Sequence, residues 1–147
     1  MKRAFVALAI ALLLAACAST PRPEPGPPPS PFSTLPPHPE TPAIASLIDN
    51  ARLDSQAGRY SNAAASLERA LRIEPRNPRL WQELARVRLK QGEYAQAESV
   101  ASRSNSFAGR DDALRADNWR LIAQAREAQG NSEGARQALE TADRLGR

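Results

Sequence analysis

The sequence predicts an all-α domain of three stacked helix-turn-helix repeats, standing behind an apolar leader and a proline-rich segment. Three observations carry that expectation. Eleven of the thirteen prolines fall between Pro21 and Pro42. From Ile44 onward the chain is rich in Ala, Leu, Arg, Glu and Gln, which lose little freedom in a helix. And Gly58-Arg59-Tyr60 returns 34 residues later as Gly92-Glu93-Tyr94, the fixed step of a repeat protein.

The leader comes first. Met1-Lys2-Arg3 is a short positive start, and Ala4 to Ala16 is a continuous apolar run. That run is too short to span a bilayer, which takes roughly 20 apolar residues. Small residues at its end complete the form of a secretory signal peptide, assigned to residues 1–16. A buried core helix is the rival, but it would not be apolar all round and lead straight into prolines. Leu14-Ala15-Ala16-Cys17 resembles the bacterial lipobox, whose cysteine is lipid-modified and becomes the mature N-terminus. The resemblance implies a covalent lipid on Cys17, which gives the lone cysteine of the chain a purpose. One acyl chain alone anchors marginally, and two or more anchor stably. Ala18 and Ser19 follow the cysteine. In lipoproteins of this type an Asp directly after it commonly signals retention in the inner membrane. Its absence implies an outer-membrane protein facing the periplasm.

Residues 17–42 form the second zone. Proline fixes φ and removes backbone donors, so this stretch excludes a helix or an inner strand and predicts a disordered, polyproline-like tether. At about 3.1 Å per residue, residues 18–42 reach at most roughly 75 Å. A spacer is the preferred reading over a proline ligand for an aromatic groove. The only histidine, His38, lies among these prolines and reads as a solvated linker residue.

The third zone, 43–147, carries the repeats, at about 44–77, 78–111 and 112–147. Ala63 recurs as Ala97 at the 34-residue step, and a third copy starts at Gly130 with Ala135. Trp81 and Trp119 stand eleven residues before their glycines, where the first copy has Leu47. This pattern resembles the tetratricopeptide repeat, a pair of antiparallel helices, and implies a short right-handed solenoid. In that frame Ala51, Ala85 and Ala123 allow close approach of the two helices. Gly58, Gly92 and Gly130 end the first helix, where a left-handed residue is easiest for glycine. Tyr60 and Tyr94 begin the second. Helices are expected at 43–57, 61–73, 78–91, 94–107, 112–129 and 132–145. The step from Gly92 to Gly130 is 38, four residues too long. The extra residues are expected around Ser104 to Asp112, as a longer loop or else a partner contact. Ser132 replaces the tyrosine of the third copy, and Gly134 predicts that its second helix is the weakest.

Stacked repeats leave a concave face lined by each first helix. By likeness to the family, the candidate partner-binding residues there are Arg52, Gln82, Arg86, Lys90, Arg120 and Gln124, with Ile48 and Glu127 beside them. The four-residue excess aligns Gln124, not Arg120, with Arg86. Few acidic groups are expected to join these cations. From Ile44 onward 17 Lys and Arg face 14 Asp and Glu, a mild balance that gives no clustered footprint for nucleic acid. The sequence carries no phosphate loop, no metal-ligand spacing and no catalytic set, so neither an enzyme, a cofactor nor a small-molecule substrate is expected. The architecture, with the run Leu71 to Pro78 and Trp81, resembles the repeat-type outer-membrane lipoprotein activators of bifunctional class A penicillin-binding proteins. That implies an envelope synthase as partner. The alternative is an assembly factor of another envelope machine, such as a pilus or secretion system.

Overall fold

The computed structural model describes residues 42–147. The signal peptide, Cys17 and the tether up to residue 41 lie outside the described residues. Six helices follow one another: α1 (Pro42–Gln56), α2 (Tyr60–Ile73), α3 (Pro78–Lys90), α4 (Tyr94–Phe107), α5 (Asp112–Ala128) and α6 (Ser132–Leu145). Each bound falls within one residue of the expected one, and the described residues contain no strand. The fold is the expected all-α stack of three helical pairs.

Local chemistry sets the ends. Asn77 caps α3 by accepting from the backbone N–H groups of Arg79 (3.0 Å) and Leu80 (3.4 Å). Pro78 follows at the first helical position, where its missing N–H costs nothing. Asp111 caps α5 and Asn131 caps α6 in the same way. Gly58, Gly92 and Gly130 follow α1, α3 and α5 with φ of 73°, 79° and 77°, the left-handed conformation that stops each helix.

The four extra residues are not where the sequence pointed. The α4–α5 junction, residues 108–111, has the same length as the α2–α3 junction, residues 74–77. The excess lies inside α5, which has 17 residues against 13 in α3. Four residues make about one turn, so the helix grew with its faces turned by only some 40°. Ser104, at the edge of the expected insertion, lies inside the helix expected at 94–107 and is fully buried. Gly134 lies within the third repeat's second helix, as expected. It sits in the first turn of α6, where its N–H donates to Asn131 Oδ1 at 2.9 Å, and a Cβ there would lie 2.6 Å from the Asn131 side chain. The glycine lets the cap approach closely. In the same turn Glu133 is held below the usual carboxylate range, first by Arg136 and then by Gln137.

Alanine makes up fourteen of the twenty-three buried apolar residues, so the helices approach closely and leave little room for larger side chains. Ala63, Ala97 and Ala135, the expected contact positions, are all buried. One cluster joins α1, α2 and α3 around Ile44, Leu67 and Leu80. A second joins α3 to α6 around Ile122 and Leu121. Val100 packs against both, so the core is continuous along the stack. Each fully buried Leu or Ile contributes about 1.5–3 kcal/mol.

A polar cluster crosses the second-to-third junction. Asn118 on α5, fully buried, donates through Nδ2 to Ser104 Oγ (2.7 Å) and Asn105 Oδ1 (2.9 Å). Its Oδ1 accepts from Gln82 Nε2 at 3.0 Å. Ser104 Oγ in turn donates to the Pro78 carbonyl at 2.7 Å. Every buried side-chain polar atom among the described residues has a partner. Two arginines tie helices from outside. Arg88 joins Glu68 of α2 to Glu93, and Arg126 joins Glu98 of α4 to the Gly134 carbonyl.

Candidate functional site

A groove with a cavity volume of about 750 Å³ runs across α1, α3 and α5. Its floor is apolar, with Ile48, Leu67, Val87 and Leu121 lining it. Arg52, Arg86, Lys90, Arg120 and Gln124 line its walls, so the structure brings five of the six candidate residues together. Gln82 is the exception and corrects the expectation. It is 7% exposed, and its amide is committed to Asn118 and to the Leu114 carbonyl. It holds α3 to α5 rather than facing a partner. Glu127 is also absent from the lining and accepts from Ser132 Oγ at 3.1 Å.

The walls are less one-sided than the sequence suggested. Arg52 pairs with Asp49 (3.0 Å), Arg86 with Glu83 (4.0 Å) and Arg120 with Asp117 (2.7 Å). Each carboxylate stands three residues before its arginine, one helical turn back. The pairs themselves recur at the 34-residue step, Asp49, Glu83, Asp117 and Arg52, Arg86, Arg120. That periodic acidic–basic couple was visible in the sequence, where only the arginines drew attention. All six side chains are at least 43% exposed. Such pairs contribute about 0–1 kcal/mol, so an arginine can leave its own carboxylate for a partner's at little cost. Lys90 donates to Ser55 Oγ at 3.2 Å and lies 5.9 Å from the centre of the Tyr60 ring.

Both Arg120 and Gln124 face the groove because the extra turn of α5 lies between two valid registers. Counted from the caps Asn77 and Asp111, Arg120 is the counterpart of Arg86. Counted back from Gly92 and Gly130, Gln124 is. The described residues hold no group of His, Cys, Asp and Glu that could bind a metal ion. None of their helices is long and apolar enough to cross a membrane.

Comparison with known proteins agrees with this geometry. A tetratricopeptide repeat profile matches residues 55–116. No curated protein sequence matches the chain. Among solved structures, the globular C-terminal domain of P. aeruginosa LpoP is similar at 48% sequence identity with a TM-score of 0.68. The match covers 69% of this chain and 96% of that one. At that identity and coverage, on a fold of three helical pairs, the chain belongs to the tetratricopeptide repeat family, in the branch that includes the LpoP domain.

Proposed function

We propose that the protein is a non-catalytic, lipid-anchored envelope module whose groove docks a bifunctional class A penicillin-binding protein and promotes or organises peptidoglycan synthesis. The observation that carries this is the kinship with the LpoP domain at 48% identity. It joins the architecture of leader, Cys17, tether and repeats by which the sequence resembles activator lipoproteins. In this reading a lipid on Cys17 holds the chain in the outer membrane, and the tether carries the repeats across the periplasm.

The groove supports the reading chemically. An apolar floor takes a partner's hydrophobic side chains. The three arginines exchange Asp49, Glu83 and Asp117 for carboxylates of the partner, since a guanidinium pairs bidentately with either. Because each arginine starts from an exposed pair, the exchange costs little on this side of the interface.

The test uses the domain 42–147. It encloses both core clusters, and the matching LpoP domain is itself a separate solved chain. Titrated against a purified bifunctional synthase, the parent should bind and raise the glycan polymerisation rate. Arg86→Glu with Arg120→Glu should weaken binding about 100-fold, two charge reversals at a contact costing about 3 kcal/mol or more. Circular dichroism should be unchanged. A parent that neither binds nor stimulates sinks the synthase reading. A double variant that behaves like the parent sinks the groove. Lys90 is the only lysine after Lys2, so an amine-reactive cross-linker on the side chains reports from the groove alone.

A further inference from the structure

Away from the groove, four side chains alternate as ring, cation, ring, cation. Arg103 on α4 lies between Trp81 on α3 and Phe107 at the end of α4, its guanidinium carbon 5.5 Å and 5.4 Å from the two ring centres. The guanidinium carbon of Arg76, in the α2–α3 junction, lies 5.8 Å from the centre of the same Phe107 ring. All three distances are within the roughly 6 Å reach of a cation–π interaction. The Trp81 indole N–H donates to the Pro75 carbonyl at 2.8 Å, which ties this ring to the junction that carries Arg76. Trp81 precedes the groove residue Glu83 by two positions, about 200° around the helix. Ladder and groove therefore occupy different faces of α3.

A guanidinium stacked on a ring uses its faces and keeps its in-plane N–H donors. Arg76 and Arg103 are both exposed, whereas Trp81 and Phe107 are half-buried. Nearby Arg79 is paired with Asp111 at 3.5 Å. Among the described residues neither Arg76 nor Arg103 has a carboxylate partner. Two exposed guanidinium forks without carboxylate partners, both within cation–π reach of one ring, make a receptor for anions.

We propose that this ladder is a second interaction surface, which takes an acidic protein segment by bidentate pairing of its carboxylates with Arg76 and Arg103. Carboxylates on alternate residues of an extended chain are about 7 Å apart along the backbone, within side-chain reach of two cations that share one ring. A membrane surface is instead read by clusters of about four to eight flexible cations. Here there are two, both arginine, whose planar forks match planar carboxylates. The proposal stands independently of the groove and of the synthase.

The probe is an acetylated, amidated peptide of alternating Glu and Gly, titrated into the ¹⁵N-labelled domain 42–147. Saturable shifts of the Arg76 and Arg103 side-chain Nε–H signals are expected. Arg76→Gln with Arg103→Gln should weaken the peptide about ten-fold or more, the worth of one charge-assisted pair. Arg103→Lys keeps the charge and loses the plane, and it should also weaken binding. Arg86→Glu with Arg120→Glu should leave the shifts at the ladder in place. Shifts confined to groove arginines, or a double Gln variant that titrates like the parent, overturn the proposal. So does binding of neither probe, when phosphatidylglycerol vesicles are run beside the peptide. Ladder-dependent sedimentation with those vesicles and no peptide binding assigns the surface to lipid and overturns it equally.

Discussion

Asn118→Leu should be among the most damaging near-isosteric changes in the domain. The side chain is fully buried and makes three hydrogen bonds, to Ser104, Asn105 and Gln82, at 2.7, 2.9 and 3.0 Å. Leucine fills a similar volume and makes none of them. Ser104 keeps its bond to the Pro78 carbonyl, and Asn105 is near enough to the surface to turn to water. The buried Gln82 amide is the group left stranded, with only the Leu114 carbonyl at 3.5 Å. Three lost bonds and one stranded donor sum to about 3–4 kcal/mol, a large share of a total near 5–15. In urea unfolding followed by circular dichroism, that lowers the midpoint by roughly 2 M. Replacing the polar set together, Gln82→Leu, Ser104→Ala and Asn118→Leu, should recover most of the loss, because no partner is then stranded. A single variant within about 1 kcal/mol of the parent, or a triple variant no better than the single, would refute the reasoning.

Three shorter predictions accompany it. Ala97→Trp overfills a site 1% exposed at the helix contact of the central repeat; it should cost about 3 kcal/mol and show as a lowered melting temperature. Gly130→Ala meets no atom within 4 Å, so only its φ of 77° matters. The expected loss is about 1 kcal/mol, and a thermal melt unchanged by the substitution would mean that this helix stop carries no strain. Cys17→Ala should abolish incorporation of a radioactive fatty acid into the protein, since the chain has no other thiol; equal label on the variant would end the lipid-anchor reading.

The repeat was legible because its step is carried by residues with backbone or packing duties. Gly58, Gly92 and Gly130 need positive φ, and Ala63, Ala97 and Ala135 need to be small, so neither set tolerates drift. The groove was legible to the same extent, since Arg52, Arg86 and Lys90 share a helical face with the repeat frame. Gln82 was misplaced because a polar residue at a groove-side position is ordinarily solvated, and its buried partner Asn118 gives no local signal. The pair is 36 residues apart and becomes visible only when α3 and α5 pack. The ladder was hidden for the same reason. Trp81 read as a packing residue of its own repeat, while Arg103 and Phe107 belong to the next helix. The carboxylates of the groove were overlooked although their step of 34 was in plain view.

The misplaced insertion has a physical cause that also explains how the groove survives it. A loop is where extra residues are usually tolerated, because a loop need not preserve a register. Within a helix, two or three extra residues would turn everything beyond them by about 200° or 300°. Four residues turn it by about 400°, only some 40° past a full turn. The caps at Asn77 and Asp111 then keep the 34-residue step, the glycines Gly92 and Gly130 take the 38-residue step, and both ends of α5 still meet their neighbours. The couple Asp117–Arg120 keeps the register of the caps, and Trp119 keeps that of the glycines. The insertion therefore has no single position along α5. The added turn keeps Arg120 and Gln124 one above the other on the third wall of the groove, as Arg86 and Lys90 stand on α3.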